Sequence, residues 1–342
     1  MGIVLALLSA LFTGSTSVIA TKLKGTPTQQ SLGVTLGAFI FGVLTCACFV
    51  LPRTGGSFAF DSHIWIVGLC SGLFWSVGQV GQYSALRPLG VSVALPISTA
   101  GQVVGNALLG AIVLGEWTSV RVWIIGVVAI ILISAGAICT SVQPKRATTQ
   151  MVVEGAGDGV QAGEMVNSMQ YRRISHDQFR RGLIYIGIST LGYMLFFIFP
   201  NFMHKIGYIS DALFNAPSGN GLYYMTAIVL PQSIGQVAGV LIIMTLLRNA
   251  KSGKFFAPAT FRNIITGLMW AAGNVCVFIA CASPSAGQAV ATTLSQLGVI
   301  VATFGGIVVL HERKTARQMR FIVLGCVLLA VGAVLMGLYT TK

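Results

Sequence analysis

Ten apolar stretches, each about as long as a bilayer is thick, alternate with short polar connections along the chain. Their bounds are 2–20, 32–51, 64–83, 91–114, 121–141, 182–200, 221–247, 262–281, 286–310 and 319–339. About 20 mainly apolar residues span the hydrocarbon core as a helix. The pattern therefore predicts an all-α integral membrane protein of ten transmembrane helices. One connection differs: 142–181 is polar, glycine-bearing and of mixed charge. It holds too little apolar surface to fold alone, and the reading assigns it as a cytoplasmic loop between two units, 1–141 and 182–342.

The two units repeat. QSLGVTLG at 30–37 matches QSIGQVAG at 232–239, WSVGQ at 75–79 matches WAAGN at 270–274, and LGE at 114–116 matches LHE at 310–312. The order is kept, and each unit has five helices. An odd number forces the second unit upside down relative to the first, an arrangement common among transporters that bind at the repeat interface.

Composition excludes other classes. The 342 residues are 55% hydrophobic and 8% charged, where a soluble domain carries about 25% charged residues. The net charge of +13 could suggest nucleic acid, but the basic residues punctuate apolar runs and form no patch. Of the 21 Lys and Arg, only Arg53, Arg121, Lys205 and Lys342 lie in even-numbered loops or the C-terminal tail; the other 17 lie in odd-numbered loops. The positive-inside rule then sets odd loops in the cytoplasm and both termini outside a cell membrane. The seven cysteines all sit in apolar runs without CxxC spacing, so no metal or cofactor is expected.

Some polar residues inside the apolar runs recur at helical spacing. Ser98, Gln102 and Asn106 share one face, with Thr99 beside them; Gln288, Thr292 and Gln296 have the same spacing in the other half. Trp75, Gln79 and Tyr83 form a face matched by Trp270 and Asn274, and Gln232 and Gln236 add another pair. In hydrocarbon such groups turn inward, because an unsatisfied amide costs several kcal/mol. Polar side chains also join helices to one another, and for any single glutamine the two readings compete. No acidic residue sits at mid-helix; Glu116 and Glu312 lie at the ends of the fourth and ninth helices. Neutral amides, hydroxyls and indoles suit a neutral, polar solute. The titratable candidates for proton coupling are Glu116, Glu312, His63, His204 and His311, all near helix ends; the two glutamates are also the candidates for gating, paired with Arg121 and Arg313 or with helix-end donors.

GTPTQQSLGVTLGAFIFG (25–42), LGVSVALPISTAGQVVGNALLGAIVLGEW (89–117) and SQLGVIVATFGGIVVLHERK (295–314) resemble the glucose/ribose porter family of the drug/metabolite transporter superfamily. The resemblance implies a 5+5 helix fold and proton-coupled uptake of a glucose- or ribose-like sugar by alternating access, in a monomer or homodimer within the lipid bilayer. The alternative is an exporter of a neutral or zwitterionic metabolite or drug. An enzyme is not expected, because no HExxH, GxSxG or phosphate-binding glycine loop occurs.

Overall fold

A computed structural model describes residues 1–89, 91–140, 176–217, 219, 221–246, 255–309 and 315–339. The helices are α1 (Gly2–Leu23), α2 (Pro27–Thr45), α3 (Leu51–Ala59), α4 (Ser62–Leu89), α5 (Val91–Ile112), α6 (Val120–Thr140), α7 (His176–Lys205), α8 (Asp211–Asn215), α9 (Leu222–Ala227), α10 (Val229–Leu246), α11 (Pro258–Arg262), α12 (Ile264–Ala282), α13 (Gly287–Ser295), α14 (Gly298–Val308) and α15 (Ala316–Tyr339). The protein is an all-α membrane protein. Among the described residues, nine stretches are long and apolar enough to cross a membrane, and Ile97–Ile112 is a shorter apolar helix. One or two helices fall on each of the ten stretches read from the sequence.

Polar side chains set the helix starts. Thr26 and Gln29 form a capping box ahead of Pro27 at the start of α2, satisfying orphan backbone donors that lipid cannot. The Asp61 carboxylate accepts the His63 and Ile64 N–H groups at 2.9 and 3.3 Å to open α4. Thr315 and Gln318 do the same reciprocally for α15.

The boundaries differ from the sequence pattern in three places. The second apolar stretch does not end at 51: a π-helical turn, Cys46–Val50, carries the chain into α3. α7 begins at His176, inside the stretch read as loop, with Asp177 in its first turn, where a carboxylate favours the positive end of the helix dipole. The rest of the expected loop, 142–175, lies outside the described residues, as does Glu312. The ninth stretch is two helices, α13 and α14. At their junction, the N–H groups of Gln296, Leu297, Val299 and Ile300 each bond the carbonyl three residues back, so the helix tightens locally to 3₁₀ geometry.

The helix contacts fall in matching pairs. α4 packs on α7 and α10, as α12 packs on α1 and α2; α5 lies on α7, as α14 lies on α1; α10 meets α2, α13 meets α5, and α15 meets α6. Small residues make these contacts close. A Cβ on Gly37 would lie 2.2 Å from the Ile264 carbonyl oxygen, and one on Gly72 would lie 2.1 Å from that of Gln232. Helices in lipid associate by such close packing, since burial from water offers them nothing. The glycines at 33, 101, 105, 235 and 239 likewise sit against a neighbouring helix. Large apolar side chains such as Ile124 and Ile131 on α6 and Val334 on α15 remain exposed on the outer faces.

The connections segregate by end. At one end the Gly2 N–H donates to Ser285 Oγ, Lys205 Nζ donates to the Val113 carbonyl, and the His63 ring meets Tyr208. At the other, Asn263 Nδ2 donates to the Lys24 carbonyl. The N-terminus and the even-numbered connections thus share one end, and the first and seventh connections meet at the other.

Candidate functional site

Trp75 and Trp270 occupy matching places in the two halves, and they meet. Their ring centroids are 5.1 Å apart at an interplanar angle of 54°, and Phe196 of α7 lies 6.2 Å from Trp270. Beside them, Asn274 Nδ2 donates to Gln232 Oε1 at 2.9 Å, Gln232 Nε2 donates to Ser71 Oγ at 2.9 Å, and Ser71 Oγ donates to the Phe196 carbonyl at 2.9 Å. This relay ties α4, α7, α10 and α12 together with every link satisfied. Gln232 and Asn274 are therefore spent on one another in this conformation. Gln236 is not: its backbone carbonyl accepts Ser76 Oγ at 3.0 Å, while both side-chain amide atoms are buried without a partner.

The second group lies where α5 and α13 pack. Gln102 Nε2 donates to Ser98 Oγ, one turn back, at 3.0 Å. Asn106 is buried, and neither of its amide atoms has a partner. Gln288 Oε1 accepts Asn201 Nδ2 of α7 at 3.1 Å, and its Nε2 is unpartnered. The Thr292 hydroxyl folds back on the Gln288 carbonyl at 2.7 Å. Gln296 is half-buried at the 3₁₀ junction, and Thr99 is half-buried on α5. The Gln79 Oε1 is taken by the Tyr193 hydroxyl, which also lies 3.0 Å from Gln82 Oε1. The side chain of Tyr83 lies outside the described residues. α7 touches both groups, through Phe196 and Asn201.

Glu116 closes the end of this seam. One carboxylate oxygen accepts the Gln288 N–H and the other accepts the Ala289 N–H at 2.8 Å. The carboxylate thus caps α13 from the opposite half of the chain, where the helix dipole favours negative charge. Gly287 is needed beneath it. Its φ is +71°, and a Cβ there would lie 3.0 Å from Glu116 Oε1. Burial raises the Glu116 carboxyl above its ordinary value, and the two N–H bonds, pulling the other way, offset only part of the rise. Of the partners weighed from the sequence, helix-end donors hold Glu116. Lys205, nearby, bonds the Val113 carbonyl at the end of α5.

Sequence reasoning missed Ser71, Tyr193, Asn201 and Thr293. Ser71 precedes Trp75 by one turn and could have been added to that face. Asn201 follows Pro200 in an apolar run and was legible as an inward amide. Thr293 was hidden behind Thr292, because its role depends on which way a hydroxyl turns.

A family model described as sugar transport protein matches residues 4–160 and 160–339. The chain belongs to the sugar transport protein family. Within that family, glucose uptake protein GlcU of Bacillus subtilis (strain 168) is 35% identical over 342 residues, covering all of both chains. A protein of Priestia megaterium named "Probable glucose uptake protein GlcU" is 36% identical over 338 residues, 99% of each chain. One solved crystal structure superposes with a TM-score of 0.66 at 12% identity, over 99% of this chain and 97% of that one. That likeness concerns the fold alone.

Proposed function

We propose that this member of the sugar transport protein family takes up a neutral, glucose- or ribose-like sugar by alternating access between two inverted five-helix halves. The observation that carries the reading is the uncharged polar interior. The paired Trp75 and Trp270 rings meet across the halves, and buried amides of Asn106, Gln236 and Gln288 keep hydrogen-bonding capacity unspent. Amides bond sugar hydroxyls, and indole faces stack on the apolar face of a sugar ring. The names of the full-length relatives support uptake and support a sugar.

Ser98, Thr99, Gln102, Asn106, Gln288, Thr292 and Gln296 form one wall of the proposed site. Trp75, Gln79, Gln232, Gln236, Trp270 and Asn274 form the other. Glu116 is the candidate for coupling or gating, because it joins the two halves at one end, with Glu312 as its sequence counterpart. The bias of Lys and Arg toward the odd-numbered loops supports both termini lying outside the cell membrane. Uptake of labelled sugars into proteoliposomes, with and without an imposed proton gradient, tests the reading. Sugar entry that rises above equilibrium only with the gradient is the expected result. Gradient-independent equilibration removes the coupling, and outward movement alone favours the exporter.

A further inference from the structure

Gly110, in the last turn of α5, abuts Ala289, in the first turn of α13: a Cβ on Gly110 would lie 2.8 Å from the Ala289 nitrogen. The end of one helix meets the start of the other while the two pack side by side. They therefore run antiparallel from the Glu116 end. Asn106 lies four residues back along α5 and Thr293 four residues on along α13, so both sit about 6 Å further in, on the facing sides. Gln288 hangs at the same seam. Relative exposures are 1% for Asn106, 0% for Thr293 and 0% for Gln288. Yet the Asn106 Nδ2 and Oδ1, the Thr293 Oγ1 and the Gln288 Nε2 all lack a hydrogen-bond partner.

Ser9, Ser134, Thr190 and Thr293 are helical hydroxyls without a partner, and of these Thr293 lies on α13 beside the unpartnered amide of Gln288. A helical hydroxyl in lipid ordinarily satisfies itself on a carbonyl three or four residues back. Thr13, Thr35, Thr140, Thr292, Ser295 and Thr303 all do so here. Thr293 does not, although α13 offers the Ala289 carbonyl. Sealed polar atoms without partners each cost about 1–3 kcal/mol, so four of them in one seam favour a conformation in which an occupant bonds them. The occupant must supply both donors and acceptors in a small volume without charge, since the seam offers an amide oxygen, two amide N–H groups and a hydroxyl. A hydroxyl pair of a polyol has that chemistry.

We infer that Asn106, Gln288 and Thr293 form a hydroxyl-binding subsite, shut in the conformation described and filled when the Glu116 end opens. Thr293 is the specificity-determining residue that this adds. The inference rests on the sugar-uptake reading and names which side chains read a hydroxyl. The α13 segment is built to uncover them. It is nine residues long, begins at Gly287, is held at its start by the Glu116 carboxylate and ends at the 3₁₀ junction.

The test is competition by a monodeoxy series of whichever sugar the parental protein takes up, in proteoliposomes of the parent, Thr293→Val and Thr293→Ser. The parent should discriminate against one deoxy position by about five- to tenfold, the scale of one hydrogen bond. Thr293→Val should raise KM for the full sugar by that factor and lose the discrimination, while Thr293→Ser keeps it. An unchanged deoxy profile in a folded Thr293→Val protein overturns the inference and leaves sugar uptake standing. A parent that moves no sugar overturns both. If Thr293→Val does not fold, alkylation of Thr293→Cys, followed on the peptide that contains it, decides. Slowing by the sugar is expected, and labelling indifferent to the sugar overturns the subsite.

Discussion

At the scale of single residues, two side chains carry sharp expectations. Gln102 donates to Ser98 Oγ, and in the proposed site its carbonyl oxygen accepts from a sugar hydroxyl. Losing a ligand hydrogen bond while its neighbours stay unpaired costs about 1–3 kcal/mol. Gln102→Leu should therefore raise KM roughly five- to a hundredfold with a near-parental melting temperature; kinetics and melting on one preparation separate binding from packing. Glu116 sets a pH dependence. Its folded carboxyl is raised by burial, so between the unfolded and the raised folded value the folded protein binds more proton at this group than the unfolded chain does. Stability from this group is complete below the unfolded carboxylate range and falls as pH rises through the raised value. Melting curves should decline across that window in the parent, and the decline should be weaker in Glu116→Gln. Equal slopes in both proteins would remove Glu116 as the titrating group.

At the scale of elements, the helices meet through glycine. Gly72 and Gly187 make a controlled pair. A Cβ at Gly72 would lie 2.1 Å from the Gln232 carbonyl oxygen, whereas one at Gly187 meets nothing within 4 Å. Gly72→Ala should push α4 and α10 apart and strain the relay from Asn274 to Ser71, costing about 1–3 kcal/mol as overpacking does. Gly187→Ala, in helical backbone on α7, should be neutral or gain up to about 1 kcal/mol by restricting the unfolded chain. Thermal unfolding in detergent ranks the two, and equal melting temperatures would show that the α4–α10 contact has slack.

At the scale of the whole molecule, the N-terminus and the even-numbered connections gather at one end. If the basic-residue bias orients the protein, the end bearing Glu116 faces out. Thr118 is exposed at that end, and Phe256 is exposed at the other. An impermeant maleimide should label Thr118→Cys in intact cells and leave Phe256→Cys untouched until the membrane is opened. The reverse pattern would invert the topology and turn the Glu116 end toward the cytoplasm.

The sequence alone determined the class and the apolar stretches on which the helices fall. Length and apolarity against bilayer thickness are local quantities. It also picked out the amides that the fold buries, because hydrocarbon makes every mid-helix amide conspicuous. It could not say which amides are spent. Gln232 and Asn274 satisfy each other, whereas Asn106 and Gln236, equally polar in the sequence, have no partner. Hydrogen-bond satisfaction depends on the neighbour across a helix seam, which spacing along one chain does not encode. The same holds for Glu116. Its place at a helix end was readable, but its hold on the start of α13, 172 residues away in the chain, exists only because the two halves fold against each other.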